Sequence, residues 1–158
     1  MATCMVIRRE ERITIRRATL DDVERIAQFI HELANFEGSV ATVNAYMLRV
    51  ELQKRNPAFF CLLAECANRH IGCAIYSFSY STFSGLHRLH LEDMYVVPEF
   101  RGRGVGKLFM SRLQDLARQN LCMYMDWEMA ATNSSAREFY QSLGAQTQDD
   151  RVFWRLKV

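Results

Sequence analysis

Apolar and polar residues alternate along Arg12–Ala18 (RITIRRA), the period-two signature of a half-buried strand. The period then changes. Val23, Ile26, Ala27, Ile30, Leu33 and Ala34 recur at helical spacing behind Thr19, an N-cap oxygen with Asp22 three residues on. This predicts a helix to about Asn35, and a less regular one from Thr42 to before Pro57. Strands are expected over Ala58–Glu65, Ile71–Tyr80 and His87–Val97, with Ala67-Asn68-Arg69 as a hairpin turn and Ser81–Gly85 as a looser connection. After Pro98 and a Gly-rich stretch, Val105, Leu108, Phe109, Leu113, Leu116 and Ala117 share one helix face. Leu121–Met129 is apolar enough for a buried strand. Asn133 or Ser134 offers a cap to a last helix that stops at Gly144. Arg151–Val158 again reads as a strand.

Composition narrows the classes. The 158 residues suit one domain, with residues 1–11 as a short tail and 12–158 as the domain. Hydrophobic residues make up 49% and charged residues 24%, as in ordinary globular proteins, and seven Gly and two Pro leave little room for linkers. No apolar run approaches the ~20 residues of a membrane-spanning helix, and the N-terminus lacks a signal-peptide core. A net charge of +2, spread along the chain, does not make a nucleic-acid surface. The five cysteines form no CxxC pair and no Cys/His metal pattern, so neither a metal nor disulfide bridges are expected. Four of them lie in apolar strand-like runs, which suits small buried thiols in a reducing, cytoplasmic setting.

The chemistry concentrates in Leu91–Gly106, LEDMYVVPEFRGRGVG, where a buried strand runs into a loop with three glycines in five positions and then a helix. The first turn of such a helix presents unpaired N–H groups and a positive dipole end. Gly102, Gly104 and Gly106 let that backbone approach a phosphate, beside the charges of Arg101 and Arg103. A Walker A loop needs Ser or Thr after GxxxxGK, but Leu108 follows Gly106-Lys107; a dinucleotide fingerprint needs GxGxxG, but the spacing is GxGxG. On glycines alone, a plain strand-to-helix turn is as good a reading.

RGRGVG resembles the acetyl-CoA motif of the GNAT acetyltransferase superfamily, with Arg101, Gly104 and Gly106 at the defining places. The order of elements from about Arg12 also resembles that family's. ELANFE, LHLEDMYVVPEFRGRGVG, EFYQSLGA and WRL are similar to its diamine (spermidine/spermine) and thialysine acetyltransferase branch. The resemblance implies an α/β (α+β) fold with a mixed, mostly antiparallel sheet, one splayed strand pair and flanking helices. It implies acetyl-CoA as co-substrate, with backbone groups of Met94, Tyr95 and Val96 along the pantetheine arm. Backbone amides of Arg101, Gly102, Arg103, Gly104, Val105, Gly106 and Lys107 would hold the diphosphate, with Asn133, Ser134, Ser135 and Ala136 as a second contact region. It also implies a homodimer.

The same resemblance gives Tyr140, in REFYQSLG, the role of proton donor to the departing thiolate; by its residues alone, Phe139-Tyr140 reads as core. Glu92 and Asp93 are adjacent, and successive strand residues point to opposite faces, so only one reaches a common site unless a bulge intervenes. The resemblance implies that bulge, places both acids in the acceptor region and links Glu92 to deprotonation. Phe36 and Glu37 match acceptor-contacting positions. Asp126, Trp127 and Glu128 read equally as acceptor contacts or as an ordinary strand. Departures bear on the acceptor: GSVATV follows the ELANFE motif where polyamine acetylases carry further acids, and Val152 stands where they have an acid, although Asp149 and Asp150 lie close by. The reading is acetyl transfer to a small cationic amine. Alternatives are a protein lysine or N-terminal amine as acceptor, or a silent acyl-CoA-binding module, against which Tyr140 and the acidic pair weigh.

Overall fold

β1 (Ile13–Arg17) forms where the alternation places it, at one edge of a five-stranded sheet. It pairs antiparallel with β2 (Phe60–Cys66), β2 with β3 (Arg69–Ser81), and β3 with β4 (Leu86–Val96); β5 (Cys122–Trp127) joins β4 in parallel. The fold class is therefore α/β with a mixed sheet in the order β1-β2-β3-β4-β5. A computed structural model describes residues 12–148, 152 and 154–158. The chain divides into two compact units, one ending at Glu128 and the other starting at Met129.

The turn between β2 and β3 is as tight as its sequence suggests. Ala67 and Asn68 have φ of 48° and 61°, the left-handed pair of a two-residue hairpin. Thr19 and Asp22 form the reciprocal cap at the start of the first helical segment, and α1 runs from Val23 to Phe36. Arg16 fixes this corner: its guanidinium meets Asp22 at 2.8 Å and Glu65 at 2.8 Å. That contact holds the carboxyl of the buried Asp22 well below the usual carboxylate range.

The sheet is covered on both faces. Phe29 of α1 packs on Tyr95, with ring centroids 5.6 Å apart, and Tyr95 pairs with Cys73. The neighbouring Gly72 points to the other face, where an added Cβ would lie 3.4 Å from Phe109 of α3 (Val105–Gln119) and collide with the Tyr95 carbonyl. Val23, Ile26, Phe29, Leu63, Ile71, Leu89, Phe109 and Leu113 are fully enclosed. α1 and α3 thus clamp the sheet, and β4 lies between β3 at its centre and β5 at its edge.

Two expected elements differ. α2 spans only Ala45–Leu52, because the Asn44 side chain accepts from Met47 N–H and starts the helix there, three residues after Thr42. No strand forms in the described part of Arg151–Val158; alternation makes a strand only with a neighbour to pair with. Asp149, Asp150, Arg151 and Phe153 lie outside the described residues. In the second unit α4 covers Ser134–Ser142, with the Asn133 side-chain Oδ1 accepting from the Ala136 N–H at 3.0 Å, and Gly144 follows at φ 84°.

Candidate active site

Cross-strand register decides what β4 presents. Ile75 pairs with Asp93 and Tyr76 with Leu91, so Glu92 is an extra residue without a partner, a β-bulge. Before it, His90 shares a face with Ser77; after it, Asp93 and Tyr95 share a face with Ile75 and Cys73. The bulge shifts the alternation by one, so His90 and Asp93 lie on the α1 face together. Glu92 bends to the same side, its Oε2 3.4 Å from His90 Nε2. The adjacent acids therefore act on one site.

On its other edge β4 pairs with β5 only from His87–Cys122 to Leu91–Trp127. Beyond Leu91 the strands part, and the edge of Met94, Tyr95 and Val96 away from β3 has no strand beside it among the described residues. Backbone groups on this edge are open to an extended ligand, apart from the Val96 carbonyl oxygen, which accepts from Arg101 Nε at 2.9 Å.

The Gly-rich turn stands at the end of that strip. Gly102 and Gly104 have φ of 71° and 84°, which favour glycine, and a Cβ on either would meet no atom within 4 Å. The glycines thus serve a backbone shape and an open approach, and no packing requires them. Gly104 caps α3, whose first amides, at Val105, Gly106 and Lys107, point out of the helix start. Arg101 is partly engaged elsewhere: its N–H reaches Pro98 O at 3.2 Å, and its Nε donates to Val96 O at 2.9 Å. Its guanidinium lies 4.7 Å from the exposed Phe36 ring and ties the loop to the end of α1. Arg103 stacks over Phe100 at 5.0 Å.

The acids converge from several elements. Asp126 of β5 pairs with His90 in register and binds its Nδ1 at 2.6 Å, while Arg88 Nη1 lies 3.6 Å from Asp126 Oδ2. Burial, and then the charges of Glu92 and Glu37, push the Asp93 carboxyl up to about 6. Glu37, at the end of α1, is thus close enough to be felt. Trp127 pairs with Leu91 and shares its face, opposite to Asp126; Glu128 lies beyond the last paired residue of β5 and is exposed. Among the described residues no cluster of His, Cys, Asp and Glu could hold a metal, and no helix is long and apolar enough to cross a membrane. Asn133–Ala136 form the capped start of α4, and Tyr140 lies half-buried on that helix, 5.1 Å from the Phe139 ring.

A carboxyl titrating near 6 has a stability consequence with a definite sign. Its folded value lies above the ordinary 3.8, so the protonated form is favoured by folding, and that stability is lost as pH rises from about 4 through about 6. Asp93→Asn removes the charge and should stabilise the protein at pH 7.5 by about 1–3 kcal/mol. The gain should vanish near pH 4. Urea unfolding at the two pH values measures it, and equal gains at both would show that Asp93 titrates normally.

An open strand edge, a glycine cradle at a helix start and a face of converging acids match one family. A profile of the Acetyltransferase (GNAT) family matches residues 23–145. The chain belongs to the GNAT acetyltransferase family. It is 30% identical over 152 residues to the thialysine N-epsilon-acetyltransferase of Bos taurus, covering 90% of this chain and 89% of that one. It is 31% identical over 152 residues to the human spermidine/spermine N(1)-acetyltransferase-like protein 1, covering 90% of this chain and 22% of that protein. A possible acetyltransferase from Clostridium difficile 630 superposes with a TM-score of 0.81 at 20% identity, over 92% of this chain and 98% of that one. The protein is an acetyl-CoA-dependent N-acetyltransferase acting on amines. The GNAT site takes acetyl-CoA as co-substrate, and the open edge and glycine turn of this chain fit an extended thioester ending in a diphosphate.

His90 is the residue that sequence reasoning missed. It lies two positions before Glu92 in a strand, where a histidine carries no pattern of its own.

Proposed function

We propose that this N-acetyltransferase acetylates a primary amine on a small cationic acceptor: a diamine, a polyamine, thialysine or a related amino acid. The observation that carries the reading is the acidic face of β4, where the bulge at Glu92 brings Glu92 and Asp93 to one side, with Asp126 in register and Glu37 nearby. A cation entering there relieves the cost of burying Asp93 as an anion. The similarity to thialysine and spermidine/spermine-type acetyltransferases supports the same class.

Each residue has a role in this scheme. Backbone groups of Met94, Tyr95 and Val96 bind the pantetheine arm, and amides from Gly102 to Lys107 bind the diphosphate, with Asn133–Ala136 as further contacts. Acetyl-CoA supplies the activated acetyl group. Phe36, Glu37, Asp93 and Asp126, with Glu128 at the margin, receive the acceptor, while Trp127, on the opposite face of β5, takes no part in this scheme. An amine of this class is protonated at neutral pH, and Glu92 takes the proton that masks its lone pair. The amine nitrogen then bonds to the acetyl carbon as the carbon–sulfur bond breaks, the nitrogen gives up its second proton to solvent as the amide forms, and Tyr140 protonates the thiolate and is reprotonated from solvent. Family resemblance also supports a homodimer, and the buried thiols of Cys61, Cys66 and Cys73 suit a reducing, cytoplasmic setting.

Thiol release from acetyl-CoA against a panel of amines tests this. Thialysine, lysine analogues and short diamines should exceed spermine in kcat/KM by about tenfold, the equivalent of ~1.4 kcal/mol for distal charges without partners. Spermine as the best substrate would show that Val152 and the stretch from Gly38 to Val43 were misread. Acetylation of peptides alone would end the small-molecule reading.

A further inference from the structure

His90 stands between two carboxylates of different strands. Its Nδ1 lies 2.6 Å from Asp126 Oδ1 on β5, and its Nε2 lies 3.4 Å from Glu92 Oε2 at the bulge. A carboxylate accepts only, so the 2.6 Å contact requires a hydrogen on Nδ1. In the neutral ring the lone pair is then on Nε2, facing Glu92. A base oriented by one acid and close to a second group is the arrangement general-base catalysis uses.

The surroundings are accounted for on every side. Ser77 lies across from His90 on β3, and Asp93 follows on the same face of β4. Arg88 reaches the other oxygen of Asp126 at 3.6 Å, and Glu37 adds negative charge from the end of α1. Arg88 also donates through Nε to Ser79 Oγ at 2.6 Å and bonds Tyr124 of β5, so it sits on the Asp126 side of the ring, while Nε2 lies 3.4 Å from Glu92 Oε2.

We propose that His90 relays the acceptor's proton away from Glu92, held in position for this by Asp126. The proposal rests on the reading that Glu92 meets the ammonium group. The acceptor N–H bond breaks and a Glu92 O–H bond forms; that O–H breaks as His90 Nε2–H forms. Glu92 is again an anion, the amine is neutral with its lone pair free, and the imidazolium lies between the carboxylates of Glu92 and Asp126. Solvent removes the proton after turnover. The relay matters because an ordinary imidazole holds a proton about two pH units more tightly than an ordinary carboxylate, which lessens the uphill step from an amine.

His90→Asn separates relay from packing. The Asn amide can still donate toward Asp126, but it cannot take a proton. With the best amine of the panel, kcat/KM should fall about tenfold or more at pH 7. The deficit should shrink below about threefold by pH 9.5, where the free amine is abundant and hydroxide assists. A structural role would leave the same deficit at every pH. In the unliganded wild-type protein, histidine nitrogen NMR should show neutral His90 as the Nδ1–H tautomer, with a low-field proton that Asp126→Ala abolishes. An Nε2–H tautomer, a wild-type rate in His90→Asn or a pH-independent deficit overturns the relay alone. An enzyme that turns over no amine overturns it together with the acceptor reading.

Discussion

Gly104→Val should weaken acetyl-CoA binding by at least about a hundredfold, ~2.7 kcal/mol, while the sheet stays folded. Gly104 has φ 84° and caps α3, so its backbone shape sets where the first amides of the helix point. A Cβ there would meet no atom within 4 Å. Its methyl groups would project into open space beside those amides, where a diphosphate must come within hydrogen-bond distance of backbone. Two costs follow, and they are separable. The left-handed conformation strains a non-glycine residue by roughly 1–2 kcal/mol, which lowers thermal stability a little. The obstruction acts only on the ligand. Calorimetry on a variant shown to be folded measures the second cost alone, and an unchanged affinity would remove the cradle from this loop.

How much of this site was legible in the sequence differs from residue to residue. The Gly-rich loop stood out in the sequence, although on glycines alone a plain turn is as good a reading as a phosphate cradle. In the structure Gly72 is required by packing, since a Cβ there would strike the Tyr95 carbonyl, whereas a Cβ on Gly102 or Gly104 would meet no atom within 4 Å, and their positive φ suits a turn and a cradle alike. The antiparallel order of β2, β3 and β4 followed from period-two runs and a left-handed pair at Ala67-Asn68. The bulge at Glu92 did not follow from those runs. LEDMY carries no bulge signal, because the register is set by pairing with Ile75 and Tyr76 of β3, separate in sequence but directly adjacent in space. Only the resemblance implied it. Without the bulge, Glu92 and Asp93 would face opposite sides and the acidic site would lose one member.

The same non-local pairing hid His90. Its partner Asp126 is 36 residues away, and contact depends on β5 entering the sheet parallel to β4 with His90 opposite Asp126. Asp126 was read as an even choice between an acceptor contact and an ordinary strand residue. In the structure, register puts it beside His90, while Trp127 turns to the other face. The end of the chain shows the converse limit. Its apolar alternation is as regular as that of β1, yet no ladder forms in the described residues, since alternation states which side a residue would face and not whether a neighbour is present.

Tyr140→Phe should lower kcat by about a hundredfold and leave acetyl-CoA affinity within about twofold. The substitution removes one oxygen and keeps the ring, so the Phe139–Tyr140 contact at 5.1 Å and the packing of α4 should persist. Helix formation does not depend on the hydroxyl either, since α4 is started by Asn133, whose side chain takes the Ala136 N–H. In the proposed scheme the phenol supplies a proton at the moment the carbon–sulfur bond breaks, when a thiolate would otherwise leave as a free anion. An effect of this kind appears in kcat and in kcat/KM together, because the interaction exists in the transition state and not in the bound ground state. A rise in KM with unchanged kcat would instead mark Tyr140 as a binding contact. A normal kcat at saturating acetyl-CoA and amine would mean that water or another group protonates the thiolate, and the acid role of Tyr140 would be lost.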